Sequence, residues 1–256
     1  MDLDGKNALV TGGAGVIGLA TAKRLAAEGA RVMLVDADRA ALEAAASEAG
    51  PSTSIAVADV TDAPDVAAYA KKAAEALGPI DIFFNNAGIE GKFAPLAEFP
   101  EDVFDQVMAV NVKGVFLGLK FMLPVMRDGG SIIITSSTAG MRGSPNFAAY
   151  TASKHAVIGL MRTTAMEGAA RRIRCNTIHP AMVDSNMMRR LEDRRMETTG
   201  HNRTREQVQE EYKAKIPLGR YIAPEEIAAA VAYLGSDAAA MVTGTQHLVD
   251  GGAMLI

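Results

Sequence analysis

Short apolar runs alternate along this chain with longer alanine-rich stretches of helical character, and this alternation restricts the fold more than any other feature. Seven runs have the length and residue types of buried strands: 8–10, 32–35, 55–57, 80–84, 132–135, 175–178 and 246–249. Nearly continuous apolar strands separated by helices are typical of a parallel sheet covered by helices on both faces. We therefore predict a doubly wound α/β fold with a seven-stranded parallel sheet.

The chain has no proline- or serine-rich linker and no repeat beyond this alternation, so a single domain covering residues 1–256 is predicted. Its 49% hydrophobic and 22% charged residues are enough to bury a sizeable core. The alternation is interrupted at residues 186–216, which contain six arginines, two lysines and six acidic residues. Two interpretations of this segment stay open, a solvated helical face and a mobile lid over a substrate.

Charge and cysteine content limit the partners and the location of the protein. A formal net charge of -4 argues against a nucleic-acid partner, which normally requires a basic surface. The first residues lack the layout of a signal peptide, and no apolar run approaches the roughly 18 residues of a membrane span. Cys175 is the only cysteine, so an internal disulfide is excluded and a buried apolar role is expected. We expect a soluble, cytoplasmic protein that binds neither nucleic acid nor membrane.

A glycine-rich turn follows the first predicted strand. It consists of Thr11, Gly12, Gly13, Ala14, Gly15, Val16, Ile17 and Gly18, and an alanine- and leucine-rich helix comes next. Glycines at such a turn let the backbone approach a pyrophosphate, whose charge is met by the helix N-terminus. With Asp36 eighteen residues beyond Gly18, the strand, turn and helix fit the dinucleotide-binding layout of a Rossmann-type domain.

Asp36 ends the second predicted strand and indicates which dinucleotide is bound. Its carboxylate can accept hydrogen bonds from the adenosine ribose and would repel the 2′-phosphate of NADP, so NAD is the predicted cofactor. Arg39 is the reservation, because a nearby arginine can turn toward a 2′-phosphate.

Tyr150 and Lys154, with Ser137 thirteen residues upstream of the tyrosine, describe a proton-transfer site. Residues four apart share one face of a helix, so the ammonium is expected beside the phenol. A phenol has an unperturbed pKa of about 10, and a neighbouring cation is expected to lower that pKa toward neutral pH. This pair is therefore a candidate acid and base. No metal is expected, since His155, His179, His201 and His247 are scattered without ligand spacing.

The chain resembles the short-chain dehydrogenase/reductase family over essentially its whole length. The matching motifs are the turn 11–18, Asp59-Val60, the segment 85–88, Asn111, Ser136-Ser137, Tyr150 with Lys154, and the segments 180–187, 217–220, Gly244 and 250–252. The resemblance implies a catalytic set of Asn111, Ser137, Tyr150 and Lys154. It also implies that Ser137 holds the substrate oxygen, Tyr150 exchanges the proton, Lys154 binds the nicotinamide ribose, and Asn111 keeps a helix distorted and supports a water path.

The same resemblance implies the residues that meet the cofactor. They are Gly12, Gly15, Val16, Ile17, Gly18, Asp36, Asp59, Val60, Asn86, Ala87, Gly88, Tyr150, Lys154, Pro180, Val183 and Ser185. Two departures from the family pattern leave the local backbone course open. Val16 stands where the family usually has glycine, and Ala181 replaces the glycine that usually follows the proline at 180.

Substrate contacts are predicted for Ser137, Tyr150, Met141, Met182 and Met187, which form a mainly apolar set. The segments 88–92 and 141–143 look like those of NAD-dependent members that act on cyclic ketones and secondary alcohols. We therefore expect hydride transfer between NAD(H) and a hydrophobic or cyclic secondary alcohol or ketone. The family resemblance also suggests a homotetramer, built by pairing the helices around 104–126 and 150–172 and by contacts of the C-terminal strand. Two alternatives stay open: a 3-oxoacyl-acyl-carrier-protein reductase, whose carrier would meet Arg142, Arg189 and Arg190, and a non-catalytic NAD-binding scaffold.

Overall fold

The computed structural model describes residues 2–198 and 203–255 and contains one parallel sheet. Its strands are β1 (Asn7–Thr11), β2 (Arg31–Asp36), β3 (Thr53–Val57), β4 (Ile80–Asn85), β5 (Met126–Thr135), β6 (Arg174–Pro180) and β7 (Gln246–Val249). Their order across the sheet is β3-β2-β1-β4-β5-β6-β7, and every neighbouring pair is parallel. The predicted seven-stranded, doubly wound Rossmann-type fold is confirmed.

Helices connect the strands. They are α1 (Val16–Ala27), α2 (Arg39–Ala49), α3 (Ala63–Leu77), α4 (Glu101–Met108), α5 (Val115–Met122), α6 (Ala148–Gly168), α7 (Asn186–Thr198), α8 (Arg205–Lys213) and α9 (Pro224–Gly235). A π-helical segment, Ala109–Gly114, joins α4 to α5, and a 3₁₀ turn, Thr138–Gly140, follows β5.

The core lies on both faces of the sheet because successive strand residues point to opposite sides. In β4, Phe83 packs with α3, α5 and α6, whereas Ile82 and Phe84 pack with α1, α2 and α9. In β5, Ile132 and Ile133 divide between the two faces in the same way. A strand buried on both sides needs apolar residues at every position, which is why the strands appear in the sequence as unbroken apolar runs.

The continuous helix Glu101–Val125 corrects one expectation about apolar segments. By length and composition it is apolar enough to cross a membrane, with a mean hydropathy of 1.4. In the structure 44% of that apolar window is buried inside the protein, because α5 packs on the sheet. Core helices of this kind carry the same composition as a membrane span.

The strand order places a crevice at one edge of the sheet. The chain moves outward from β1 through β2 to β3 and then returns to β4 on the other side of β1. In open α/β sheets, ligands bind outside the carboxyl ends of the strands at this reversal of strand order. The carboxyl ends of β1, β4, β5 and β6 carry most of the predicted site residues.

Candidate active site

Tyr150 and Lys154 lie on the same face of α6, near its N-terminal end. The Lys154 Nζ atom is 5.5 Å from the centroid of the Tyr150 ring and donates a hydrogen bond of 2.9 Å to the carbonyl of Thr135 at the end of β5. Lys154 is 3% exposed. The Phe147 ring stacks on the Tyr150 ring with centroids 4.7 Å apart. The helical spacing therefore brings the predicted acid/base pair together.

The electrostatics of this pair differ from the prediction. Burial raises the pKa of Tyr150 to about 12; the hydrogen bond with Ser137 lowers it and the charge of Glu90 raises it further. Burial also lowers the pKa of Lys154 to about 8. The prediction that Lys154 brings the phenol pKa down toward neutral is wrong for the protein by itself, because burial disfavours the charged form of each group and is the largest cause of both shifts.

Asn111 lies in the π-helical segment and is completely buried. Its Oδ1 accepts from the backbone N–H of Ile89 at 2.9 Å, and its Nδ2 donates to the Ile89 carbonyl at 2.9 Å and to Ser153 Oγ at 3.0 Å. Ser153 Oγ in turn donates to the Tyr150 carbonyl at 2.7 Å. The helix is distorted at Asn111, as predicted, and the amide connects the β4 loop to the helix that carries Tyr150.

Ser137 follows the end of β5 and faces the end of β6. Its Oγ accepts from the N–H of Ala139 at 3.2 Å and donates to the Pro180 carbonyl at 3.4 Å. Neighbouring Ser136 is buried and its Oγ donates to the Lys154 carbonyl at 2.9 Å. The first serine therefore supports the turn, and the second lies against the phenol of Tyr150.

The glycine-rich turn has the shape that a pyrophosphate requires. Gly12 has a φ of +64°, and a Cβ on it would lie 3.0 Å from Ala87 Cα. Gly15 is the N-cap of α1, and Val16 and Ile17 are the first helical residues. In the described part of the chain no side chain caps this end of α1, and the first turn of α1 holds no acidic residue. The N–H groups of the first turn are therefore suited to an anion.

Asp36 binds the glycine-rich turn from the end of β2. Its carboxylate accepts from the N–H groups of Ala14 at 3.1 Å, Ala37 at 2.8 Å and Asp38 at 3.3 Å. Arg39 pairs with Glu43 along α2 at 3.5 Å. The acidic side chain is thus held next to the turn, while the arginine points along its own helix.

Asn86, Ala87 and Gly88 continue β4 into the crevice. Asn86 Nδ2 donates to the Thr11 carbonyl at 3.1 Å, and the N–H groups of Asn86 and Ala87 both donate to Thr11 Oγ1, at 2.9 and 3.1 Å. A Cβ on Gly88 would lie 3.4 Å from Lys154 Nζ. The hydrogen bonds join the predicted cofactor segment to the end of β1, and Gly88 lies close to Lys154 on the predicted catalytic helix.

The remaining predicted cofactor residues lie on the loops around the same edge. Asp59 follows β3 and accepts from the N–H and hydroxyl of Thr61, both at 2.8 Å. Val60 contacts the π-helical segment at Gly114. Pro180 ends β6, and beyond it lie Val183, which is buried, and Ser185, whose Oγ accepts from the first turn of α7 at 3.1 Å. The described contacts join neither Asp59 nor Val60 to the catalytic residues.

Three predicted substrate residues are partly buried and lie on separate segments. Met141 follows the 3₁₀ turn after β5, Met182 follows β6, and Met187 lies in the first turn of α7. The structure therefore places them on three segments around the carboxyl edge of the sheet.

An ion pair between a buried carboxylate and a half-exposed arginine ties α7 to this edge. Glu90, in the loop after β4, is 7% exposed, and its Oε1 accepts from Arg190 Nε at 2.5 Å. One turn further along α7, Arg194 donates to the Gly91 carbonyl at 3.1 Å. Glu90 also raises the pKa of Tyr150, so this carboxylate acts electrostatically on the phenol.

Several groups that hold the site are not evident from motifs. Thr11 Oγ1 and the Thr135 carbonyl hold the β4 loop and Lys154, and Ser153 links Asn111 to Tyr150. A hydroxyl three residues after Tyr150 on the same helix is the one signal that points to Ser153. Cys175 is fully buried and burial raises the pKa of its thiol, so the predicted apolar role is confirmed.

No cluster of three or more potential metal-ligating side chains occurs in the described ranges, 2–198 and 203–255. His155, His179 and His247 lie on α6, β6 and β7, respectively. His201 lies outside the described residues, as do residues 199–202 of the segment considered as a lid.

Comparison with known proteins shows the family of this chain. Residues 12–254 match the family model described as Enoyl-(Acyl carrier protein) reductase. The chain is 43% identical to levodione reductase of Leifsonia aquatica over 251 residues, which make up 95% of this chain and 92% of that protein. The chain belongs to the short-chain dehydrogenase/reductase family.

Other members of the short-chain dehydrogenase/reductase family are similar over the whole chain. The 3-oxoacyl-acyl-carrier-protein reductase of Thermotoga maritima is 36% identical and is covered completely, as is this chain. The crystal structure of levodione reductase has a TM-score of 0.92 at 40% identity, covering 99% of both chains. That of NAD⁺-bound xylitol dehydrogenase has a TM-score of 0.93 at 36% identity, covering 98% of this chain and 100% of that one. The protein is thus an oxidoreductase that acts on alcohols or ketones with a nicotinamide cofactor.

Proposed function

We propose that the protein transfers a hydride between NAD(H) and a hydrophobic or cyclic secondary alcohol or ketone, with Tyr150 as acid and base. The observation that carries the proposal is the convergence of Ser137, Tyr150, Lys154 and Asn111 at the carboxyl edge of the sheet, next to a glycine-rich turn fitted for a dinucleotide.

The bound nicotinamide cofactor supplies the hydride or accepts it. For a ketone, the Ser137 hydroxyl donates a hydrogen bond to the carbonyl oxygen, and Tyr150 delivers the proton that the new alkoxide requires. A phenol with a pKa of about 12 is protonated at neutral pH and is a competent donor. In the reverse direction the phenolate must accept the proton, so oxidation is expected to accelerate as pH rises toward that pKa.

Two neighbours support these roles. Lys154, held by the Thr135 carbonyl, presents its ammonium beside Gly88, where the cofactor ribose is proposed to lie. Asn111 holds the loop at Ile89 and reaches the Tyr150 backbone through Ser153, which keeps the two segments at a constant spacing.

The preference for NAD over NADP rests on Asp36. Three backbone N–H groups hold its carboxylate at the end of β2, so this negative charge cannot easily move away from a 2′-phosphate. Arg39, the one nearby cation considered for that phosphate, is paired with Glu43.

The substrate preference rests on the surroundings of the phenol. The Phe147 ring stacks on Tyr150 and lies 6.2 Å from the Phe93 ring. Together with the partly buried methionines at 141, 182 and 187, this aromatic wall favours an apolar or cyclic carbon skeleton. Helices α7 and α8 are proposed to cover this substrate, because Arg190 and Arg194 tie α7 to the loop beside the wall.

The acyl-carrier alternative is supported by the relative in Thermotoga maritima but not by the arginines considered for it. Arg142 donates to the Ala253 carbonyl, Arg189 pairs with Asp184, and Arg190 pairs with Glu90. Their charges are directed to partners within the chain. A non-catalytic scaffold has no support from this site, whose four predicted catalytic residues are all in place.

A homotetramer in the cytoplasm is part of the proposal. Large apolar side chains stay exposed on the helices expected to pair, with Phe104 39%, Phe116 47% and Met166 81% exposed. Such faces are usually covered by another subunit. Light scattering at micromolar concentration tests the assembly, and a monomer would contradict it.

The function is tested by measuring NADH formation from a panel of cyclic, aromatic and hydroxyacyl secondary alcohols, with NAD and NADP in parallel. Tyr150→Phe is the matched control, since it removes the acidic hydroxyl and retains the ring that stacks on Phe147. We expect turnover with NAD that falls by about 10²-fold or more in the variant. Turnover with NADP alone would contradict the argument from Asp36, and a preference for hydroxyacyl carrier substrates would favour the alternative.

A further inference from the structure

His179 is a completely buried side chain at the carboxyl end of β6, directly behind the proposed catalytic serine. Its Nδ1 lies 2.9 Å from the Ser137 carbonyl oxygen. Its Nε2 lies 2.8 Å from Thr177 Oγ1, two residues back along the same strand. Residues two apart in a strand share a face, so the threonine and the histidine form one continuous chain of contacts that ends on Ser137.

The chemistry of these partners determines which ring nitrogen carries the proton. A carbonyl oxygen can only accept, so Nδ1–H of His179 must donate to Ser137. In the neutral ring Nε2 is then an acceptor, and the Thr177 hydroxyl faces it at 2.8 Å. The other acceptor near that hydroxyl, the Thr245 carbonyl, lies at a longer 3.4 Å, so donation to Nε2 is the better hydrogen bond. Burial lowers the pKa of His179, the hydrogen bond with the Ser137 backbone raises it, and the charges of Lys154 and His155 lower it; the net lowering of the pKa favours this neutral form.

The ladder between β5 and β6 ends just before Ser137. The last paired residues of β5 and β6 are Thr135 and Ile178, and the N–H of Ser136 still donates to the Ile178 carbonyl at 2.9 Å. One residue further, the Ser137 carbonyl accepts from the backbone N–H of Gly140 at 2.9 Å and also from the imidazole, which links it to β6. The Ser137 oxygen accepts from the N–H of Ala139 at 3.2 Å and the hydroxyl lies against the Tyr150 phenol. Its donation to the Pro180 carbonyl is long, at 3.4 Å, so the hydroxyl proton can turn toward a substrate oxygen.

We propose that His179, oriented by Thr177, is a positioning residue that holds the Ser137 backbone so that its hydroxyl meets the substrate oxygen beside Tyr150. His179 touches neither substrate nor cofactor in this proposal and acts through Ser137 alone. The inference rests on the proposed function, since it assigns a support to that catalytic serine. A purely structural role, in which the imidazole only fills space between β5 and β6, is the competing explanation.

The decisive experiment is a double-mutant cycle between His179→Leu and Ser137→Ala, with the best alcohol of the panel and NAD. A displaced catalytic group commonly costs on the order of 10- to 100-fold in kcat, and we expect such a loss for His179→Leu alone. In the Ser137→Ala background the same substitution is expected to lower kcat less than about twofold, because the effects of two residues that act through one group are not additive. Equal losses in both backgrounds would overturn the proposal and leave the structural role.

A second pair of variants guards against misfolding of His179→Leu. Thr177→Val keeps the shape of a strand residue and removes the hydroxyl that orients the ring, whereas Thr177→Ser keeps the hydroxyl. We expect Thr177→Val to lower kcat about 3- to 10-fold with the dissociation constant of NADH unchanged, and Thr177→Ser to stay within about twofold of the parent. An equal kcat in the two variants would contradict the proposal. His247→Gln, on the neighbouring strand β7, controls for the loss of a histidine.

A readout without turnover separates this proposal from the proposed function. The ¹⁵N chemical shifts of the His179 ring are expected to show a proton on Nδ1, and Thr177→Val is expected to allow the other tautomer. A proton on Nε2 in the parent protein would refute the orientation of Ser137 described above. If Ser137→Ala has no effect on turnover, the proposed catalytic role fails; if Ser137 matters but His179 does not, only this inference fails.

Discussion

Gly18→Ala is a sensitive test of how the glycine-rich turn is built. A Cβ on Gly18 would lie 2.2 Å from the Gly12 carbonyl oxygen and 2.9 Å from Gly13 Cα. Since Cβ atoms essentially never come closer than 3.0 Å to another heavy atom, helix α1 and the turn must separate by at least about 0.8 Å, the difference between 3.0 and 2.2 Å. Both contacts are with backbone, so no side chain can move aside to relieve them.

The size of the effect follows from two opposing contributions. Overpacking of this kind costs about 1–3 kcal/mol, whereas replacing glycine by alanine inside a helix stabilises it by up to about 1 kcal/mol. We expect a net destabilisation of about 1–2 kcal/mol, which lowers Tm by about 2–8 °C for a domain of this size. Because the turn moves away from the N-terminus of α1, the dissociation constant of NADH is expected to rise as well.

Gly15→Ala is the matched control on the same turn. Gly15 has a φ of -75° and a ψ of 158°, which any residue adopts, and its Cβ would lie 3.4 Å from the Gly12 carbonyl, an ordinary contact. Its Tm is expected to change by less than about 3 °C, since an N-cap alanine costs well under 1 kcal/mol relative to glycine. Thermal unfolding followed by circular dichroism measures both variants. A Gly18→Ala variant as stable as the parent or more stable would refute the reasoning.

Three further predictions concern the site. Glu90→Gln removes a charge that raises the pKa of Tyr150. Since oxidation needs the phenolate, the rising limb of the pH profile of kcat/KM for the alcohol should move to lower pH. A limb at the same or a higher pH would contradict this. Arg190→Met removes the partner of Glu90 and should raise KM for the alcohol about 3- to 10-fold, with KM for NAD unchanged. Steady-state kinetics measure both constants, and Arg189→Met is the control. Asn111→Ala removes the side-chain amide that binds the N–H and the carbonyl of Ile89, and it should lower the free energy of unfolding by about 2–4 kcal/mol. Urea unfolding measures this loss, and a loss under about 1 kcal/mol would contradict the prediction.

The departures from the family pattern illustrate what local sequence can decide. Val16 begins α1 and lies beyond the N-cap, so the helix does not need glycine there, while Gly15 occupies the extended position before it. Ala181 is not among the described non-glycine residues with positive φ, which are Asn146 and Arg172. Neither question was decidable from the spacing of glycines, since the backbone angles depend on where the helix starts.

The segment 186–216 also shows what local sequence cannot decide, here the burial of charged residues. Its mixed charges predicted either a solvated face or a lid, and the described part contains α7 and α8 with charges paired between them, such as Arg205 with Glu192 at 3.2 Å. Glu192 is 1% exposed and also accepts from Tyr221 at 2.8 Å. A charge run therefore includes a buried carboxylate, which composition cannot distinguish from a solvated one.

The sequence by itself determined the sheet, its parallel strands and the pairing of Tyr150 with Lys154. These features depend on short-range periodicity: apolar runs for strands buried on both faces, and a spacing of four for residues on one helical face. Only the tertiary structure decided the electrostatics and the supports of the site. Burial, which a sequence does not display, raises the pKa of Tyr150, and the bonds of Asn111 to Ile89 and of His179 to Ser137 join segments 22 and 42 residues apart. Contacts between residues so far apart in sequence depend on how the strands and helices pack, so no local sequence pattern predicts them.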